Sequence, residues 1–226
     1  MKKTATKIMM GALFVMLTVS SCKKDDTASV DTTNNGTFKV FTQGSITTVQ
    51  NLPGDTIVGI DPVSGQPYGS GKFKFFSIET GQLIANTDSA TTKWDIAFRG
   101  TTILTNSGTS GPGAGGAYVQ VGLFADVAAV STDSTFRTDA APVYAIRTGS
   151  NKGWYVYDGA NNLITPIPGR VLMIRTASGK YAKMEITNYY KGGTTPATTA
   201  PDAIKLGEQR YFNFRYTYQA NGSMTF

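Results

Sequence analysis

The chain contains no histidine and one cysteine, Cys22, and these two shortages close off most of the chemistry open to a protein of this size. Histidine is the commonest general base near neutral pH and the commonest metal ligand. Without it, Ser-His-Asp triads, Cys-His dyads and HExxH zinc sites cannot be assembled. Once Cys22 is acylated, no thiol remains for a disulfide, a thiolate metal site or a cysteine nucleophile, so the fold must rest on burial alone. Acids are sparse too, 15 against 21 Lys and Arg, and no motif pairs two of them as glycoside hydrolysis requires. The composition points away from an enzyme. Basic residues form no block with interleaved aromatics, and setting aside Lys2, Lys3 and Lys7 leaves 18 basic against 15 acidic residues. No nucleic-acid partner is expected. No apolar run reaches the ~20 residues that a spanning helix needs.

What is present at the start of the chain is a secretory pattern. Lys2, Lys3 and Lys7 precede an apolar stretch from Ile8 to Val19, followed by Ser20, Ser21 and Cys22. A basic region, a short apolar region and small residues before a cysteine predict a lipoprotein signal peptide over residues 1–21, with Cys22 as the site of lipid attachment. Palmitate and its companion chains then hold the protein on the membrane, since buried acyl chains contribute about 0.8 kcal/mol per CH₂ and more than one chain gives stable anchoring. Residues 22–36, polar and nearly free of apolar side chains, are expected to be a flexible tether. Within it, Lys23-Lys24-Asp25-Asp26 resembles the charged step that directs Bacteroidetes lipoproteins to the cell surface. The expected location is the outer membrane, lipid-anchored and facing outward.

Residues 37–226 are expected to form a single all-β domain. Short β-branched and aromatic runs alternate with Gly, Pro, Asn and Asp, the punctuation of strands and turns. Lys72–Ser77 and Tyr211–Tyr218 alternate polar groups with rings and predict half-buried strands. Further strands are expected at Trp94–Phe98, Ala117–Phe124, Val143–Thr148, Gly153–Asp158, Arg170–Thr176 and Lys180–Asn188. Asp158 to Asn162 and Ser178-Gly179 supply residues that tolerate positive φ, and predict hairpins. The sole helical expectation is a turn or two within Leu123–Val130. The glycine-rich stretch from Asn106 to Ala117 lacks the Lys and Ser or Thr of a phosphate-binding loop and leads into a strand, so it is expected to link two strands.

The order of these parts resembles the HmuY family of Bacteroidetes surface lipoproteins. The resemblance rests on the ring-rich Phe73–Phe76 strand, Trp94-Asp95-Ile96-Ala97, and the Ser107-to-Ala117 glycine loop. It continues through Gly153-Trp154, Gly169–Arg175, Tyr181-Ala182-Lys183 with Ile186-Thr187-Asn188-Tyr189, and the closing Phe212–Tyr218 strand. It implies a fold of antiparallel sheets with hairpin arms and little helix. The family's best-known member is a haemophore that holds haem between two histidines. Here one histidine position aligns with the Asp158-Gly159-Ala160 turn, and the segment carrying the other is shortened.

The resemblance therefore implies haem or another planar ligand, held without the family's two-histidine ligation, and a TonB-dependent receptor as recipient. Tyr155 and Tyr157 lie on the strand leading into that turn, and tyrosinate can hold ferric haem; rings on a strand also serve packing or stacking. Met173, Met184 and Met224 are thioether alternatives, although methionine inside a strand also fills core gaps. Arg137, Arg147, Lys152 and Arg175 are candidate partners for ligand carboxylates. The competing expectation is an interaction lipoprotein that has lost haem and meets a protein or glycan partner through rings such as Tyr189 and Tyr190.

Overall fold

A computed structural model describes residues 36–226; the predicted signal segment, Cys22 and the tether as far as Asn35 lie outside the described residues. In chain order the strands are β1 (Lys39–Gln43), β2 (Ile46–Pro53), β3 (Gly59–Ile60), β4 (Pro67–Tyr68), β5 (Lys74–Ser77), β6 (Gln82–Ile84) and β7 (Ile96–Arg99). They continue as β8 (Thr102–Thr105), β9 (Gly116–Val121), β10 (Tyr155–Asp158), β11 (Leu163–Pro166), β12 (Arg170–Arg175), β13 (Tyr181–Tyr190) and β14 (Gln209–Gln219). A short helix, α1 (Asp202–Glu208), precedes β14.

A six-stranded sheet runs β1-β2-β14-β13-β12-β9, and a four-stranded sheet runs β6-β5-β7-β8. Two hairpin ribbons, β3-β4 and β10-β11, stand apart from them. All pairings are antiparallel.

Strand periodicity sorts side chains into layers, because successive residues face opposite sides of a sheet. Phe76, Ile96, Phe98 and Ile103 from the smaller sheet meet Leu172, Ile174, Met184, Phe212 and Phe214 from the larger one in the main core. Their neighbours in sequence point the other way. Phe75, Ala97 and Leu104 pack with Trp94 outside the smaller sheet. Val171, Met173 and Tyr118 pack with Phe124, Val127 and Val130 outside the larger one. The main core is rich in rings: Phe98 lies 4.6 Å from Phe212 and 5.6 Å from Phe214, centroid to centroid. Pairs at such spacing add about 0.5–1.5 kcal/mol beyond their area burial.

Three buried polar side chains fasten the strand ends. Asp95 accepts the backbone N–H groups of Ile78 at 2.7 Å and Ala177 at 2.9 Å, tying the ends of β5 and β7 to the β12-β13 turn. Burial pushes its carboxyl up from the ordinary range, against the pull of those bonds. Asp139 accepts from Thr105 N–H at 2.9 Å and Ala145 N–H at 2.8 Å. Asn106 donates to the carbonyls of Thr91 and Trp94 and accepts from Gly113 N–H. The glycine loop folds back so tightly over Asn106 that a Cβ at Gly115 would sit 2.5 Å from its carbonyl oxygen. Its glycines serve a close backbone approach.

A buried cation fixes the segment packed outside the larger sheet. Lys183 Nζ donates to the carbonyls of Phe124 and Val127 at 2.9 and 2.8 Å, and desolvation lowers its pKa.

The turn expected within Leu123–Val130 forms as a single one, with Asp126 and Val127 N–H both bonding Leu123 C=O. Three expectations change. Val143–Thr148 forms no strand: Ala145 and Ile146 are buried in the core, but the Ala145 N–H goes to the Asp139 carboxylate instead of a ladder. Helix α1 was not expected at all. Tyr189 and Tyr190, expected as exposed rings, are both buried. Two register shifts between Ile186 and Tyr190 break the alternation, so consecutive side chains both face inward.

Candidate functional site

A cleft of about 880 Å³ opens where the β3-β4 ribbon, the β7-β8 turn, the β10-β11 ribbon and α1 converge on the start of β14. The volume falls within the ~300–1,000 Å³ of small-molecule sites.

The β10-β11 ribbon supplies one wall. Tyr157 pairs with Ile164 and Tyr155 with Pro166, so Tyr155 and Tyr157, two residues apart, share the face that lines the cleft. They differ in depth: Tyr155 is 8% exposed and Tyr157 48%. The ribbon's tip is closed by Asp158, whose carboxylate accepts the N–H groups of Ala160 and Asn161 and the Asn161 side-chain amide. That side-chain bond leads in holding the Asp158 carboxyl below its ordinary range.

Beneath lies the β7-β8 turn. Thr101 donates from Oγ1 to the Tyr155 hydroxyl at 3.3 Å, and its carbonyl accepts the Trp154 indole N–H at 2.9 Å. Gly100 N–H is bonded to Gly54 C=O. Tyr189 reaches the cleft from below, its phenol pushed far up by burial. Tyr190 is also raised by burial, and its hydroxyl accepts Ile164 N–H, holding the ribbon to the large sheet.

The facing wall is held by Arg210. Its guanidinium donates to the carbonyls of Asp55 at 3.1 Å and Pro67 at 3.4 Å, and lies 4.0 Å from the Asp55 carboxylate. Asp55 in turn accepts from Ser70 Oγ and Gly71 N–H. On the remaining side α1 contributes Asp202 and Leu206. Asp202 accepts the Asn162 amide at 2.9 Å, and Asn162 accepts the Tyr157 hydroxyl at 2.9 Å. The buried Lys205 binds the carbonyls of Asn161 and Thr198, both at 2.8 Å, locking the helix to the ribbon tip.

The sequence-predicted ligands divide accordingly. Tyr155 and Tyr157 stand together in the cleft. Met173 is fully buried in the cluster outside the large sheet, Met184 lies in the main core, and Met224 is near the end of the chain with its carbonyl bonded to Val130 N–H. None of the three lines the cleft. Nor do Arg137, Arg147, Lys152 or Arg175; Arg175 instead binds the Ala114 carbonyl of the glycine loop. The cationic side chains that do line it, Arg99 and Arg210, escaped the sequence reading because no local pattern separates them from solvated strand ends. Among the described residues no group of three or more His, Cys, Asp or Glu side chains is placed to hold a metal ion.

A family profile described as HmuY protein matches residues 70–200. No curated protein matches the chain. Solved structures that are similar include a protein assigned as a lipoprotein from Bacteroides fragilis NCTC 9343, at 16% identity and a TM-score of 0.47, covering 80% of this chain and 94% of that one. Another is described as an HmuY-like heme binding protein from Bacteroides vulgatus ATCC 8482, at 17% identity and a TM-score of 0.42, covering 72% of this chain and 97% of that one. A third is the apo HmuY analog of Tannerella forsythia, at 15% identity and a TM-score of 0.42, covering 80% of this chain and 97% of that one.

Proposed function

Since the chain belongs to the HmuY family, whose profile spans residues 70–200, we propose that it is a non-enzymatic binding lipoprotein of the outer-membrane surface. In this reading, lipid at Cys22 holds it on the membrane. It captures haem or another planar ligand in the cleft and passes it to an outer-membrane transporter. The observation that supports this most is the pairing of Tyr155 and Tyr157 on one wall of an 880 Å³ cleft. A flat apolar face would lie against these rings. Either phenolate can serve as an oxygen ligand to ferric iron.

Titrating the purified protein with ferric haem tests the reading. The expected result is a Soret shift that saturates near one haem per chain and weakens in Tyr155→Phe or Tyr157→Phe. Diffuse quenching without an endpoint would rule haem out.

A second reading, an interaction lipoprotein for a protein or glycan partner, is favoured by one observation. The β3-β4 ribbon and its turn leave Val58, Ile60 and Val63 exposed, and an apolar surface patch marks a contact site. Pull-down from outer membranes with the wild-type chain and with Val63→Asp tests it. Recovery of the same proteins by both variants counts against it.

A further inference from the structure

We propose that Arg99 is the residue by which the cleft recognises a carboxylate on its ligand, an assignment that rests on the capture reading and specifies its ligand class. Four charged side chains line the cleft: Asp55, Arg99, Asp202 and Arg210. Three are already neutralised. Asp55 and Arg210 lie 4.0 Å apart, and Asp202 lies 3.5 Å from Lys205. Among the described residues no carboxylate comes within ion-pair distance of Arg99. The cleft therefore offers one positive charge without a counter-ion.

That charge is also positioned. The Arg99 guanidinium stacks over the Phe73 ring, 4.2 Å from its centroid, and one of its terminal nitrogens donates to Gly71 C=O at 3.2 Å. A guanidinium carries five N–H donors in one plane, and the bond to Gly71 occupies one of them. The rest present a rigid fork whose geometry matches a carboxylate. The turn beneath is fixed by the Gly100–Gly54 and Trp154–Thr101 hydrogen bonds. Little ordering is left to be done when a ligand arrives, which favours affinity.

The rings of Tyr155 and Tyr157 line the same cleft. A ligand with a flat apolar body and an acidic edge would satisfy both features, whereas a neutral planar compound would leave Arg99 unused.

The probes are ferric protoporphyrin IX, which carries two carboxylates, and its dimethyl ester, which carries none. Binding of each to the purified chain is measured by absorbance at low and high salt. Wild-type protein is expected to favour the diacid by about tenfold or more, the size of a charge-assisted pair, and to lose part of that preference in high salt. Arg99→Gln should bind both probes with the ester's affinity, and Arg99→Lys should recover part of the preference. Near-UV circular dichroism confirms that the variants keep the wild-type fold. Equal binding of diacid and ester by wild type, or a preference that survives Arg99→Gln, overturns the assignment while the capture reading stands. Failure of both probes to bind rules out haem as the captured ligand and overturns this assignment with it.

Discussion

The strand ends around Asp95 and Asn106 and the cleft around Tyr155 are built on different principles. In the first region, buried polar side chains spend their hydrogen bonds on backbone groups: Asp95 on Ile78 and Ala177, Asn106 on Thr91, Trp94 and Gly113. In the second, side chains from distant segments face an open space, and several of their polar atoms bond one another, as in the Tyr157–Asn162–Asp202 relay. The motifs that identify the family, Trp94-Asp95-Ile96-Ala97 and the glycine loop, belong to the first region. The matched span of residues 70–200 leaves out Asp55, Tyr68, Asp202 and Arg210, all of which line the cleft. Family strings here report scaffold more than ligand. A shared fold accordingly leaves the identity of the ligand to the site.

Mutations separate the two regions, and the largest effect falls in the scaffold. Asp95→Ala strands two buried N–H groups and is expected to cost about 2–4 kcal/mol in urea denaturation. Asp95→Asn keeps one acceptor and should cost less; a loss equal to that of Asp95→Ala would show that the retained bond contributes nothing. Gly115→Ala forces a Cβ against the Asn106 carbonyl and is expected to cost about 1–3 kcal/mol, with the affinity of the cleft for the proposed ligand unchanged.

Alkaline pH probes the scaffold by another route. Burial pushes the Tyr216 phenol from 10.0 up to about 12 and raises Tyr189 and Tyr190 as well. A group whose pKa is higher folded than unfolded contributes stability that is present below its unfolded pKa and lost as pH rises through the folded one. Stability should therefore fall between pH 10 and about 12 for Tyr216, with buried tyrosinate absorbance appearing together with loss of near-UV dichroism. Tyrosinate signal from these rings in a chain that keeps its dichroism would contradict their burial. The smallest effect is expected in the cleft: Tyr157→Phe and Arg99→Gln should each shift stability by under about 0.5 kcal/mol while changing ligand affinity.

Alternation made most of the sheet legible. The strands at Lys74–Ser77, Arg170–Arg175 and Gln209–Gln219 overlap their predicted ranges because each alternates between two buried layers or between a layer and solvent. Where the pattern failed, a local exception had replaced periodicity. The bulges before Tyr190 turned two neighbouring rings inward, and the Asp139 carboxylate took the backbone bond that a strand at Val143–Thr148 needed. Helix α1 is seven residues long and includes Gly207, and its buried anchor is the polar Lys205, so no apolar stripe announced it. The cleft was half visible. Tyr155 and Tyr157 share a strand face and could be found together, but Asp55, Arg99, Asp202 and Arg210 meet only through tertiary packing.

The two tryptophans, Trp94 and Trp154, divide between these regions. Trp154 lies behind the cleft, with its ring 5.0 Å from Tyr155 and its N–H on Thr101, while Trp94 is packed outside the smaller sheet against Phe75. The molecule thus carries its own optical gauge: a light-absorbing guest in the cleft would dim the indole behind it more strongly than the other, and Trp154→Phe would leave only the weaker response.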